Sequence, residues 1–289
     1  MGYAPEPAAP QNATNKVQIR RAPPPARRAS GYADKRRLSR QNLALAEQAK
    51  LSETDPALPQ ATPGMLRGAE SLLKIYCTIA HHATIDGTDR IPDGPVVFVA
   101  NHWSDADGFV LFSTLPRSLD QITVVANGKI ATSSVPTLWL MKQFGAILTT
   151  VDESKGSKGD TIRQAVATLR AGRSVLFFPQ GAVYPRNATH TPSHTGFAVA
   201  AGTAGVPIVP LFVDGTDEAW PPKAPLPKPG ARVHVTVGTV IEPSEIPELP
   251  APGTAEQVDA NGDAMIALRD FAAGVMRGVF AMDKSTYAE

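Results

Sequence analysis

The sequence contains a single cysteine, Cys77. One thiol excludes an internal disulfide framework and a thiolate-built zinc site. No uncharged apolar run approaches the ~18 residues that a spanning helix needs, which predicts no transmembrane helix. The opening MGYAPEPAAP lacks the basic start and apolar stretch of a secretory signal, so an intracellular protein is expected. No G-x-S-x-G elbow occurs, which disfavours a serine hydrolase. Aromatic residues are scarce at 6%. The basic N-terminal stretch has one, Tyr32, among its cations, too few to stack on successive bases, so nucleic acid is not an expected partner. Metal-binding patterns are poor as well. His81 and His82 are adjacent, while His190 and His194 straddle Pro192, which opposes a helical i,i+4 pair.

What is present is an average globular composition, 43% hydrophobic over 289 residues, long enough to bury a substantial core. The net charge of +1 hides an asymmetry. Residues 1–50 hold ten of the 28 basic side chains and three of the 27 acidic ones, leaving 18 against 24 in the remainder. A basic arm on a mildly acidic body is expected to attract an anionic surface, such as that of a membrane. Residues 1–33 are rich in Pro, Ala and Arg and read as disordered. Asp34 to Lys50 reads as a short basic helix, and 51–64, with three prolines, as a linker. The organisation expected is a basic extension and linker over 1–64, disordered or partly helical, and one domain over 65–289.

Within that domain the hydrophobic pattern alternates between two kinds of segment. Met65–His81 carries a helical stripe (Leu66, Ala69, Leu72, Leu73, Tyr76, Ile79, Ala80) expected to face the core. Pro95–Ala100, Ser174–Phe178, Ile208–Val213 and Val233–Val237 are short β-branched or aromatic runs of the kind covered on both faces of a sheet. Ile122–Ala126 and Ala146–Thr150 are further strands. Helices are predicted around Ile162–Leu169, capped by Asp160 or Thr161, over Thr195–Ala204, and over Met265–Phe280. Strands alternating with helices predict an α/β fold with a mixed, mostly parallel central sheet flanked by helices.

The polar cluster Asn101-His102-Trp103-Ser104-Asp105-Ala106-Asp107 follows directly on the buried run Pro95–Ala100. Residues at the C-terminal end of such a strand lie where open α/β sheets hold ligands. If the chain turns from strand into helix between His102 and Asp107, the carboxylate can reach one imidazole nitrogen. That contact orients the ring and stabilises the imidazolium once the other nitrogen takes a proton. The pair is a general base with its orienter. Ser104 is too close along the chain to pair with His102 as a nucleophile.

Asn101–Asp107 resembles the H-x-x-x-x-D motif of the glycerolipid acyltransferases, typified by 1-acylglycerol-3-phosphate O-acyltransferase. Three more motifs follow in the family's order. Phe144-Gly145-Ala146-Ile147 is similar to its G-x-I motif, Phe178-Pro179-Gln180-Gly181 to F-P-E-G, and Val206-Pro207-Ile208-Val209-Pro210 to V-P-[IV]-[IV]-P. Val235–Pro243 is similar to the tail of such domains, so the resemblance spans roughly 65–245. It implies transfer of an acyl group from a CoA or acyl-carrier-protein thioester to a hydroxyl, with His102 as base, Asp107 as its orienter and no covalent acyl-enzyme. It also implies substrate contacts from Asn101, Gly145, Ile147, Phe178, Pro179, Gln180, Gly181 and Pro207. No resident cofactor or metal is expected. Backbone N–H groups near the Phe178–Gly181 turn are expected to stabilise the oxyanion. Peripheral association with the inner face of the cytoplasmic membrane is the expected location.

Three departures bear on the acceptor. Gln180 stands where the motif carries a carboxylate, and Val183 and Val151 stand where it carries arginines that would hold an acceptor phosphate. Valine offers nothing like the fork of guanidinium donors. Arg186, Lys155 and Lys158 are the nearest replacements. The expected acceptor is therefore a neutral or glycosylated lipid or a hydroxylated metabolite, with lysophosphatidic acid as the alternative. A non-catalytic protein that binds acyl thioester or lipid is the competing reading.

Overall fold

The computed structural model describes residues 54–128, 135–149, 158–188, 193–221, 224, 226–249 and 262–283. The basic extension to residue 53, Val151, Lys155, His190 and part of the proline-rich loop after Pro221 lie outside the described residues. Seven strands among the described residues form one sheet: β1 (Thr84–Asp86), β2 (Val97–Ala100), β3 (Ile122–Ala126), β4 (Ile147–Leu148), β5 (Ser174–Phe177), β6 (Ile208–Asp214) and β7 (His234–Val237). Their order is β1-β7-β6-β2-β5-β3-β4. Every pairing is parallel except β6 with β7. The mixed, mostly parallel sheet is as expected; the three-residue edge strand β1 carries no sequence signal of its own.

Alternation along the strands divides the core into two faces. Val97, Val99, Val175, Phe177, Ile208 and Phe212 point one way. There they meet three helices: α4 (Lys158–Arg170), α5 (Gly196–Ala204) and α7 (Asp263–Phe280). Phe98, Ala100, Leu176, Val209, Leu211 and Val213 point the other way, onto α2 (Asp107–Thr114) and Cys77 of α1 (Pro63–His81). Side chains at i and i+2 share a face, so these apolar runs serve both layers at once. The buried Ala198, Ala200 and Ala201 of α5 let that helix lie close on the sheet. Two helices lack a strong sequence pattern, α3 (Val135–Gln143) and the short α6 (Thr216–Ala219).

The segment read as a linker departs from that reading from residue 54 onward. Ala57 donates its N–H to Thr168 Oγ1 at 2.8 Å. Its carbonyl accepts from the buried guanidinium of Arg173, which also holds the carbonyls of Asp120 and Ile122. Burial lowers that guanidinium to about 10, with Asp120 opposing the shift. Gly145 closes the strap. Its φ is +67°, and a Cβ there would lie 2.6 Å from the Leu58 carbonyl carbon, so only glycine fits. Thr62 then caps α1, accepting from Met65 N–H at 3.3 Å, with Pro63 in its first turn.

Helix α1 corrects a second expectation. Its stripe does not all face the core: Leu66 and Cys77 are buried, while Leu72 and Ile79 are 70% and 73% exposed, with Met65, Ile75 and Tyr76 also exposed. The helix is apolar around more of its circumference than one contact surface can cover. No described helix is long and apolar enough to cross a membrane.

Candidate active site

β2 ends at Ala100, and the next seven residues turn the chain into α2. Asn101 makes that turn rigid. It is fully buried, donates Nδ2–H to the Val213 carbonyl at 2.8 Å and accepts from Val213 N–H at 2.7 Å. One amide thereby continues the β2–β6 ladder beyond the strand. Asn101, expected at the substrate, has both ends of its side chain committed to the fold.

His102 Nδ1 lies 2.9 Å from Asp107 Oδ2. Asp107 is fully buried at the start of α2, where the helix dipole favours negative charge. It also accepts from the N–H groups of Trp103 at 2.8 Å and Ser104 at 3.0 Å, and from the Thr216 hydroxyl. Since Oδ2 already accepts two main-chain N–H bonds, it faces Nδ1 as an acceptor, so Nδ1 is the nitrogen that carries hydrogen and Nε2 presents a lone pair. The imidazole is 19% exposed. Ser104 is fully buried, donates to the Trp220 carbonyl and accepts from Ala106 N–H, which leaves it no role as a nucleophile.

The turn after β5 lies against His102. The Phe178 ring stacks on His102, centroids 4.3 Å apart at 21°. Gln180 Oε1 accepts from His102 N–H at 2.6 Å, and Tyr184 N–H donates to the His102 carbonyl at 2.9 Å. The Pro179 carbonyl accepts from His194 N–H at 2.9 Å. Gly181 has φ +75°, and a Cβ there would lie 2.9 Å from His194 Nε2. Its own N–H closes the turn on the Phe178 carbonyl at 3.0 Å, so this amide is spent. Among the described residues the N–H groups of Ala182 and Val183 have no protein acceptor, and they are the nearer candidates for an oxyanion.

Three other expected contacts lie elsewhere. Pro207 accepts from Val97 N–H at the entry of β2, five residues and roughly 16 Å from His102 along the strand. Ile147 is fully buried on β4, separated from β2 by β5 and β3, roughly 14 Å across the sheet. Gly145 packs on the strap. Motifs that share a pattern need not share a site, because strand entries and crossovers also constrain sequence.

Arg186 lies over Trp103, next to His102 in the chain, but is committed to carboxylates. Its guanidinium lies 4.3 Å over the Trp103 ring. It pairs with Asp214, with Asp217 at 3.6 Å and with Asp283 at 3.9 Å. Burial pulls its pKa down, but the hydrogen bond to Asp214 and the charges of Asp214, Asp217 and Asp283 outweigh this and hold it above its ordinary value. Among the described residues, three carboxylates surround this one guanidinium. Sequence spacing brought Arg186 forward and gave no sign of its partners, because Asp214 arrives from the end of β6, Asp217 from α6 and Asp283 from beyond α7.

Residues 82–214 match the acyltransferase family model. The chain is 30% identical over 158 residues to a chloroplastic 1-acyl-sn-glycerol-3-phosphate acyltransferase of Arabidopsis thaliana, covering 52% of this chain and 42% of that protein. It is 32% identical over 169 residues to a 1-acyl-sn-glycerol-3-phosphate acyltransferase of Chlamydomonas reinhardtii, covering 57% of this chain and 48% of that protein. The chain thus aligns with less than half the length of these relatives. The crystal structure of the 1-acyl-sn-glycerophosphate acyltransferase of Thermotoga maritima shares the fold, with a TM-score of 0.55 at 15% identity over 88% of this chain and 98% of that one.

Proposed function

We propose that the chain is an O-acyltransferase of the acyltransferase family that residues 82–214 match, working through His102 and Asp107. The observation that carries this is the 2.9 Å contact between His102 Nδ1 and Asp107, on a ring that keeps 19% of its surface exposed. Nε2 takes the proton of an acceptor hydroxyl as its oxygen attacks the thioester carbonyl. The tetrahedral intermediate then collapses, the C–S bond breaks, and the departing thiolate takes the proton from the imidazolium. An ester and a free thiol result, with no acyl-enzyme. The donor is an acyl-CoA or acyl-carrier-protein thioester.

Two observations bear on the acceptor. The relatives' names support a 1-acyl-glycerol-3-phosphate. The site's own charge supports an uncharged lipid alcohol or hydroxylated metabolite, since Arg186, over the Trp103 ring beside His102 in the chain, is surrounded by Asp214, Asp217 and Asp283. Purified protein given an acyl-CoA and a panel of lysophosphatidate, monoacylglycerol and a glycolipid, read by mass spectrometry, decides between them. Ester formation with the uncharged acceptors is expected to exceed that with lysophosphatidate. The reverse ranking would return the acceptor to that of the relatives, and donor binding without ester formation or thiol release would favour a non-catalytic accessory protein.

The same reading places the protein at an anionic membrane surface, on the cytoplasmic side. The exposed Met65, Leu72, Ile75 and Ile79 of α1 offer apolar area to the headgroup region, and the ten basic residues of 1–50 add about 1 kcal/mol each near anionic lipid. Deleting residues 1–50 is expected to weaken sedimentation with anionic vesicles in a salt-sensitive way. Unchanged sedimentation would remove the membrane role without touching the chemistry.

A further inference from the structure

Both main-chain polar groups of His102 are held by the turn after β5, one by Gln180 Oε1 at 2.6 Å and the other by Tyr184 N–H at 2.9 Å. Gln180 is 1% exposed, so water does not compete for its bond. The orientation of the amide is set as well, since turning it over would oppose its NH₂ to the His102 N–H. At its other end, Nε2 is buried with no partner among the described residues. An unmatched buried donor costs stability, and packing alone gives no reason to keep an amide there.

We propose that Gln180 is a positioning residue, whose amide oxygen fixes the His102 main chain and whose lack of charge sets the pH range in which the imidazole can accept a proton. A carboxylate at this position could accept the same main-chain hydrogen bond. It would also put a second negative charge beside the imidazole, and a nearby opposite charge holds the proton on the ring. The base would then remain occupied up to a higher pH. Among the described residues, the charged and titratable groups already around it are Asp107 at Nδ1, Asp105 in the same loop, the Arg186 cluster with Asp214, Asp217 and Asp283 over Trp103, Tyr184, and His194 against Gly181. None of these occupies the place of the Gln180 amide.

Two variants separate position from charge. Gln180→Met removes the acceptor at similar volume and is expected to lower kcat roughly tenfold, because a slightly misplaced base is inefficient, with KM and the pH profile unchanged. Gln180→Glu keeps the acceptor and is expected to restore kcat at high pH while moving the acid limb of kcat/KM up by about one pH unit. The activity readout rests on the acyl-transfer reading, so a second readout is independent of it. Labelled-histidine NMR, with the His102 signal identified by its loss in His102→Ala, should show the imidazole titrating at higher pH in Gln180→Glu. Full kcat in a folded Gln180→Met, or an unmoved His102 titration in a folded Gln180→Glu, would overturn the proposal. An active His102→Ala would instead overturn the acyl-transfer reading and leave the NMR test standing.

Discussion

His102→Ala is expected to reduce thioester turnover by ~10²–10⁴-fold, the usual loss when a general base is removed, while the melting temperature stays close to that of the parent. The two effects separate because the loop is tied through its main chain. The bonds from His102 N–H to Gln180 and from Tyr184 N–H to the His102 carbonyl do not need the imidazole. Asp107 keeps its bonds from Trp103, Ser104 and Thr216 when the ring is gone. Thiol release from an acyl-CoA, followed with a chromogenic thiol reagent beside a thermal melt, checks both halves. Near-normal turnover by a folded variant would end the proposed mechanism.

Asp107 should behave differently, because its carboxylate is both the proposed orienter and a knot in the fold. Asp107→Ala strands the His102, Trp103 and Ser104 donors and the Thr216 hydroxyl around a site with no solvent access. Each stranded buried group costs about 1–3 kcal/mol, and a domain typically has only about 5–15 kcal/mol in total. A sharp drop in melting temperature, or loss of soluble protein, is expected. Asp107→Asn is the informative companion. Its oxygen can keep the His102, Trp103 and Ser104 donors while its NH₂ turns to the Thr216 hydroxyl, which can accept. That variant should fold yet lose most of its turnover, since an amide cannot stabilise the imidazolium by charge. If Asp107→Asn retained full activity, the carboxylate would be only a structural anchor.

Set beside each other, the two substitutions show how unevenly the site could be read in advance. The His102–Asp107 pairing was legible because five residues of turn-forming chain after a buried strand allow few other outcomes. Phe178 and Gln180 were legible only as members of a pattern. That one stacks on the imidazole and the other grips its main chain follows from β5 lying beside β2 in the sheet, which no spacing reveals. Pro207 and Ile147 show the converse: both sit in motifs of the right order, yet the parallel register puts one at the opposite end of β2 and the other three strands away.

The proline-rich strap and Arg186 make the same point about polar groups. Three prolines in fourteen residues read locally as a linker. Residues 54–62 are held instead by Thr168, Arg173 and the left-handed Gly145, partners around 80 to 120 positions away. Arg186 reads as a free cation for a phosphate until β6, α6 and the end of α7 bring three carboxylates to it.

Alternation of two-faced apolar runs with amphipathic segments was enough, by itself, to determine an α/β sheet with helices on both sides, because a strand buried on both faces has no other stable home. The same local logic determined where the His102 imidazole and the Asp107 carboxylate would meet. Which strands became neighbours, and therefore which distant groups surround His102, was decided only by the folded chain. Sheet order depends on the crossovers as wholes, while contacts such as Gln180 with His102 or Asp283 with Arg186 join residues whose sequence neighbourhoods carry no trace of each other.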